Sequence, residues 1–155
     1  MSIAIGKAIP NITLPANDGQ TISLADYNGK NIVLYFYPKD STSGCTKQGE
    51  DFRDLHRKFL KENTVVLGVS RDSIKSHHKF IEKYQFPFPL LSDPDEDLCE
   101  AFGVMKWKSM YGRKYRGIER STFLIDEAGK LLAEWRKVKV PGHVQEVFQF
   151  LKDLK

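Results

Sequence analysis

The chain has 155 residues, of which 41% are hydrophobic and 28% are charged, so it can bury a hydrophobic core and is not expected to be disordered. No apolar run approaches the ~18 residues of a membrane-spanning helix, and two cysteines are too few for a disulfide scaffold. The formal net charge is only +4, and segment 1–6 lacks the features of a secretory signal, so we predict a cytoplasmic protein without membrane contact.

The first half of the chain begins with a predicted β-hairpin and continues with alternating strands and helices. Segments 11–15 and 20–24 flank Asp18-Gly19, a pair that adopts the backbone of a tight turn at low cost. The apolar runs and the helical spacing of apolar residues then predict a strand at 31–37, a helix at 46–62, a strand at 64–70, a helix at 73–84 and a short strand at 89–92.

The second half adds a short helix at 95–102, two strands at 121–126 and 130–136 joined by a turn at Ala128-Gly129, and a helix at 142–154. Strands separated by helices indicate a sheet with a parallel part, and the late hairpin adds antiparallel strands. We therefore predict one α/β domain over residues 1–155, with a mixed β-sheet flanked by helices and an N-terminal β-hairpin extension.

Basic residues recur between Lys106 and Arg120, with Trp107, Tyr111 and Tyr115 interleaved among them. Such a segment can be a nucleic-acid surface, or it can be a solvated loop. Because the excess of positive charge is small, we favour the loop and predict no nucleic-acid partner.

Cys45 follows a predicted buried strand and lies at or near the start of a predicted helix. Free N–H groups and the positive end of the helix dipole favour a thiolate there, and the thiolate is the nucleophilic form. Pro38 stiffens the connecting loop and can shield the sulfur from water. A structural cysteine is the alternative, but such residues usually lie within apolar runs, whereas the neighbours of Cys45 are small and polar.

The spacing of Pro38, Thr42 and Cys45 resembles the peroxiredoxin signature, Pro-x-x-x-Thr-x-x-Cys. The run 36–46 resembles the bacterioferritin comigratory protein (Q-type) subfamily, and so do the stretches 67–73, 89–93 and 117–126. This resemblance implies a thioredoxin-like fold. It also implies a peroxidase in which Cys45 attacks a peroxide and becomes a sulfenic acid, with no metal or other cofactor.

The resemblance further supplies Arg120, which matches an arginine that lies near the reactive sulfur in the family. There the guanidinium would stabilise the thiolate and orient the peroxide oxygens, and the Thr42 hydroxyl could donate to either. The alternative for Arg120 is a surface arginine paired with a carboxylate.

The chain departs from the subfamily in its second cysteine. Many members have a resolving cysteine where Glu50 stands here, and others have one on the next helix, where 78–82 contains none. Only Cys99 remains, either as a structural thiol beside the apolar face of Leu98 and Phe102 or as a resolving thiol, and we favour the structural role.

We therefore expect a one-cysteine mechanism in which an external thiol, from thioredoxin, a glutaredoxin system or a small molecule, reduces Cys45. A disulfide between the Cys45 residues of two chains stays open, as does a dimer, although the resemblance implies a monomer. A peroxide sensor that uses the same cysteine without turnover is the alternative function.

His56, His77 and His78 do not have the spacing of a zinc site, so we predict no metal and expect these histidines to be exposed on helices.

Overall fold

A computed structural model describes residues 3–154, so Met1 and Ser2, which begin the segment without a predicted secretory signal, lie outside the described residues. The strands are β1 (Thr13–Pro15), β2 (Thr21–Ser23), β3 (Asn31–Phe36), β4 (Thr64–Ser70), β5 (Leu90–Ser92), β6 (Met105–Met110), β7 (Arg113–Ile118), β8 (Ser121–Ile125) and β9 (Leu131–Trp135). The helices are α1 (Ser43–Lys61), α2 (Ile74–Tyr84), α3 (Asp97–Ala101) and α4 (His143–Asp153), with a 3-10 helix at Leu24–Tyr27.

A five-stranded mixed sheet forms the centre of the molecule, in the order β5-β4-β3-β8-β9. Strands β3, β4 and β5 are parallel, while β8 runs antiparallel to β3 and β9 runs antiparallel to β8. The predicted mixed α/β architecture is thus confirmed, and so are the hairpins β1–β2 and β8–β9.

The alternation of side chains along β3 shows why both faces of the sheet are covered. Ile32, Leu34 and Phe36 lie in one core cluster, with residues of β1, the 3-10 helix and α3. Val33 and Tyr35 lie in the other, with residues of α1, α2 and α4. Because successive side chains of a strand point to opposite faces, a continuous apolar run requires a layer on each side.

Helix α1 is the longest helix at 19 residues, and its exposed face is rich in charged side chains. Within residues 3–154, no helix is both long enough and apolar enough to cross a bilayer.

The basic segment does not form the loop that we predicted. Strands β6 and β7 pair antiparallel over their whole length, from Met105↔Ile118 to Met110↔Arg113. Tyr111 and Gly112 form the turn with φ of +53° and +77°. The prediction was wrong because the strands lack apolar alternation, and because Tyr-Gly is a weaker turn signal than Asn-Gly.

His143, the first residue of α4, is buried against β8, and its Nε2 lies 2.7 Å from Thr122 Oγ1. Burial lowers the pKa of His143 to about 4, and the positive charge of Arg120 contributes in the same direction. An unfolded histidine has a pKa of about 6.5, so between these values the unfolded chain binds a proton that the folded chain excludes.

We expect the free energy of unfolding to fall as the pH is lowered from about 6.5 to about 4, with His143 contributing up to about 3 kcal/mol of that loss. Urea unfolding of wild type and His143→Gln across this range measures the difference, and the variant should lose less stability. His78→Gln, on an exposed histidine, is the matched control. Equal losses in wild type and His143→Gln would contradict the assignment.

Candidate active site

Cys45 lies in the first turn of α1, just beyond the carboxyl end of β3. The helix begins at Ser43, earlier than predicted, so Cys45 is its third residue. The intervening loop turns sharply at Ser41, whose φ is +63°, and extended Thr42 occupies the N-cap position. The Cys45 side chain is only 2% exposed. Its sulfur is thus held at the end of a helix where backbone N–H groups have no partner within the helix.

Arg120 immediately precedes β8, the strand next to β3, and from there it reaches the sulfur. Its Nη2 donates to Cys45 Sγ at 3.3 Å, and its Nη1 donates to Gln48 Oε1 at 2.6 Å. The strand register explains this approach, because Phe36 at the end of β3 pairs with Ser121 at the start of β8. The alternative of a surface arginine paired with a carboxylate is not what the structure shows.

Gly44 gives the guanidinium room to approach Cys45. A Cβ atom at this position would lie 3.2 Å from Arg120 Nη2, closer than an ordinary van der Waals contact. A side chain at this position would therefore require the guanidinium to shift by a few tenths of an ångström from its place beside the sulfur.

Gln48 is a site residue that the sequence analysis missed. It is fully buried, and while its Oε1 accepts from Arg120, its Nε2 has no hydrogen-bond partner within the described part of the chain. Residues three apart on a helix share a face, so the position of Gln48 relative to Cys45 was the available signal. Its amide holds the guanidinium in the orientation that faces the sulfur.

The Thr42 hydroxyl is oriented differently from our expectation. It donates to the Lys39 carbonyl oxygen at 2.9 Å, so its proton is not directed at the sulfur. The remaining lone pairs of Oγ1 can accept a hydrogen bond from a bound molecule. Thr42 is exposed and lies in the loop that leads to Cys45, whereas Pro38 is half-buried at the start of that loop.

A buried network of hydrogen bonds anchors the loop between β3 and α1. Asp40 Oδ1 accepts from the Tyr37 hydroxyl at 2.6 Å, and Asp40 Oδ2 accepts from Ser76 Oγ at 2.8 Å. Asp40 Oδ2 also lies 2.7 Å from His77 Nδ1, and His77 Nε2 lies 2.9 Å from the Leu91 carbonyl oxygen. Since that carbonyl can only accept, Nε2 is the nitrogen that donates to it, which leaves Nδ1 facing the Asp40 carboxylate.

His77 is thus fully buried and His56 is half-buried, so the expectation of exposed histidines was wrong for these two, while His78 is exposed. The two adjacent histidines project from different sides of α2, so His77 faces the core while His78 faces solvent.

Asp40, Asp72 and His77 have potential ligand atoms within 4.8 Å of one another, as a metal site would require. Each of these groups already takes part in protein hydrogen bonds, including that of Asp72 Oδ2 with the Asp40 N–H at 2.8 Å. The cluster therefore acts as an anchor for the loop, with its ligand atoms occupied by protein donors.

Cys99 lies far from this chemistry. It is fully buried in the core cluster on one face of the sheet, whereas Cys45 belongs to the cluster on the other face. Burial raises the pKa of the Cys99 thiol, and the neighbouring Asp93 carboxylate raises it further. Both cysteines are free. Because they lie on opposite faces of the sheet, a disulfide between them would require the sheet and α3 to rearrange.

Comparison with known proteins relates this chain to one family. The AhpC/TSA family matches residues 5–133. A Bacillus subtilis protein named Peroxiredoxin Bcp is 54% identical over 154 residues, covering 99% of this chain and 98% of that one. A Coxiella burnetii protein named Putative peroxiredoxin bcp is 54% identical over 147 residues, covering 95% of this chain and 97% of its own.

Solved structures of similar proteins have the same fold as this chain. A PrxQ mutant from Xylella fastidiosa superimposes with a TM-score of 0.94 at 46% identity, covering 99% of this chain and 98% of that one. The bacterioferritin comigratory protein of Xanthomonas campestris, whose trapped-intermediate and ligand complexes concern alkyl peroxide reduction, has a TM-score of 0.89 at 47% identity, covering 95% and 98%.

The buried network yields a stability prediction. Asp40→Ala should lower the free energy of unfolding by about 3 kcal/mol, because it leaves the Tyr37 and Ser76 hydroxyls without their acceptor and His77 Nδ1 without its partner. Urea unfolding measures the loss. Asp54→Ala, at an exposed carboxylate on α1, should change it by less than about 0.5 kcal/mol. An Asp40→Ala variant as stable as wild type would contradict the anchoring role.

Proposed function

The chain belongs to the AhpC/TSA family and is a peroxiredoxin, a thiol-dependent peroxidase, and we propose that Cys45 is its peroxidatic nucleophile. The observation that carries this proposal is the hydrogen bond of Arg120 Nη2 to Cys45 Sγ, 3.3 Å long, at the first turn of α1. A cation and a helix N-terminus are the two surroundings that favour the nucleophilic form of a cysteine, and both are present at Cys45.

The reaction that this geometry supports is a displacement at oxygen. The Cys45 thiolate forms a bond to one peroxide oxygen while the O–O bond breaks, and the other oxygen leaves with the electron pair. Cys45 becomes a sulfenic acid, and the departing hydroxide or alkoxide takes up a proton to become water or an alcohol. Hydrogen peroxide and organic hydroperoxides both contain the required O–O bond.

Two side chains would orient the peroxide. The Arg120 guanidinium would face both reacting oxygens and stabilise the negative charge that grows on the leaving oxygen. Thr42 Oγ1, whose own proton is committed to the Lys39 carbonyl oxygen, would accept the peroxide O–H. Pro38 would limit access of water to the sulfur.

The catalytic cycle closes through an external thiol. A donor thiol attacks the Cys45 sulfenic acid to form a mixed disulfide and release water. A second thiol of the donor then attacks the mixed disulfide, which frees Cys45 and leaves the donor oxidised. We propose thioredoxin as the donor, with a glutaredoxin system or a small thiol as alternatives, because the buried Cys99 on the opposite face of the sheet does not favour an internal resolving thiol.

The proposal treats residues 1–155 as one domain that acts in the cytoplasm as a monomer in antioxidant defence and redox homeostasis, without a metal or other cofactor, and a dimer is the alternative. Nucleic acid and membranes are not among its proposed partners. A sensor that is oxidised once without turnover would use the same Cys45, so turnover distinguishes the two functions.

We expect Cys45→Ser to abolish peroxide consumption, both with dithiothreitol and with thioredoxin, its reductase and NADPH, because the nucleophile is lost. Cys99→Ala should keep at least about half of the wild-type rate with each donor, since this thiol takes no part in turnover. Loss of the thioredoxin-dependent rate in Cys99→Ala, with a retained single oxidation of Cys45, would make Cys99 the resolving thiol. Single oxidation of wild type without turnover would favour the sensor.

Arg120→Lys should slow the single-turnover oxidation of Cys45 by hydrogen peroxide by about 10- to 100-fold. An ammonium cannot bond Gln48 and the sulfur simultaneously in the planar geometry of a guanidinium. Arg57→Lys, on the exposed side of α1, is the matched control and should leave this rate unchanged. If the Arg120→Lys rate equals that of wild type, the orienting role is wrong.

A further inference from the structure

The hairpin formed by β6 and β7 is an exposed, strongly basic surface that the peroxidase chemistry does not use. Residues 105–118 contain no Asp or Glu, and their basic residues are Lys106, Lys108, Arg113, Lys114 and Arg116. The hairpin also exposes large apolar side chains, namely Trp107, Met110, Tyr111 and Tyr115. Clustered exposed apolar groups among cations are typical of a surface that binds a partner.

The strand register divides the hairpin into two faces. Lys108 pairs with Tyr115 and Met110 pairs with Arg113, and side chains of paired residues lie on the same face. The face that includes Lys106, Lys108, Met110, Arg113 and Tyr115 is called the Lys108 face below. Trp107, Ser109, Lys114 and Arg116 lie on the opposite face.

The Lys108 face adjoins the active site. Lys108 Nζ donates to the carbonyl oxygen of Ile118, the last residue of β7, at 2.5 Å, and Arg120 follows shortly after Ile118. Burial lowers the pKa of Lys108 and the positive charge of Arg120 lowers it further, whereas Glu119 and, to a smaller extent, Cys45 act in the opposite direction. Arg120 and Cys45 are therefore both close enough to act on the Lys108 ammonium.

The two faces also differ in how their charges are used. Arg116 forms ion pairs with Glu96 and Glu100. Within residues 3–154, by contrast, Lys106, Lys108 and Arg113 have no carboxylate within salt-bridge distance. The Lys108 face thus presents three cations that form no ion pair, although the Glu119 carboxylate acts on Lys108 from beyond salt-bridge distance. Lys114, on the opposite face, likewise takes part in no ion pair among residues 3–154.

The tip of the hairpin holds an aromatic residue in an unfavourable position. Tyr111 is 98% exposed, and its φ of +53° is a conformation that Gly, Asn or Asp adopts more readily. Folding gains little from a solvated ring in a left-handed backbone. A contact with another molecule gives this residue a use.

In the proposed cycle an external thiol must reduce Cys45, whose side chain is only 2% exposed. A protein donor therefore has to bind the surface next to Cys45 to bring its own reactive sulfur close enough. We propose that the Lys108 face, together with Tyr111 at the tip, docks the protein thiol donor through an acidic and apolar surface around the donor's cysteine. This inference rests on the proposed function and specifies the partner surface of the same site. Complementary charge would speed the encounter and set its orientation.

Two pairs of similar residues, each pair with one member on either face of the hairpin, provide a matched test. Arg113→Glu and Lys114→Glu change the charge equally, and Tyr115→Ala and Trp107→Ala each remove an exposed ring. Turnover with hydrogen peroxide would be measured with three donors: thioredoxin with its reductase, glutaredoxin with glutathione and its reductase, and dithiothreitol. Salt would be held at about 0.15 M, where screening limits the effect of a charge to about 8 Å.

For the protein donor that supports wild-type turnover, we expect Arg113→Glu and Tyr115→Ala to lower kcat/KM by about tenfold. The Lys114→Glu and Trp107→Ala variants should change it by less than about twofold, and no variant should alter the dithiothreitol rate. This face-specific loss with an unchanged dithiothreitol rate supports docking, because a fold defect would slow both donors.

Equal effects of Arg113→Glu and Lys114→Glu would overturn the proposal, and so would an equal loss with dithiothreitol. Wild-type turnover with dithiothreitol but with neither protein would overturn docking and leave the peroxidase intact, whereas absence of turnover with every donor would refute the proposed function itself. If a duplex oligonucleotide binds and Arg113→Glu weakens that binding without changing donor kinetics, the surface binds nucleic acid instead.

Discussion

The site depends on the antiparallel pairing of β3 with β8. Register fixes Phe36 opposite Ser121, so the residue before β8 meets the loop that follows β3. That register brings the Arg120 guanidinium to the sulfur of Cys45. Cys45 itself is placed there by the connection from β3 into the first turn of α1. A slip of one residue would turn every side chain of β8 to the other face and move Arg120 away from the sulfur.

The surroundings of Cys45 combine a rigid base with an accessible rim. Asp40, Tyr37 and His77 hold the loop through buried hydrogen bonds, and Gln48 holds the guanidinium. Thr42, by contrast, is exposed. Groups that must be oriented before substrate arrives are therefore fixed by buried contacts, which is the arrangement that lowers reorganisation during a displacement reaction.

The placement of the two cysteines on opposite faces of the sheet has a mechanistic consequence. A cysteine within reach of Cys45 would make reduction an internal step, and the surface beside the site would matter less to the cycle. In the proposed cycle the reductant comes from outside, and the basic, aromatic hairpin adjoins the site at which such a partner would act. Among the features of that hairpin, Tyr111 is the costly one, because its exposed ring is carried by a left-handed backbone that favours Gly, Asn or Asp.

The sequence alone determined the order of most elements, because the apolar runs of β3 and β4 and the amphipathic spacing of the helices are local patterns. It also indicated Cys45 and, through family resemblance, Arg120 as candidate site residues, which the structure brings within hydrogen-bond distance of each other. It could not find Gln48 or the buried His77, since a polar side chain becomes a buried partner only when distant elements meet around it. It missed the β6–β7 hairpin because strand pairing there comes from cross-strand hydrogen bonds without an apolar alternation. Only the tertiary structure decided that the Arg120 guanidinium reaches Cys45 and that the sheet separates Cys99 from Cys45, because both depend on how strands distant in sequence pair within the sheet. Only the structure also showed that the Thr42 hydroxyl donates to the Lys39 carbonyl oxygen, because the local sequence does not fix the conformation of this loop.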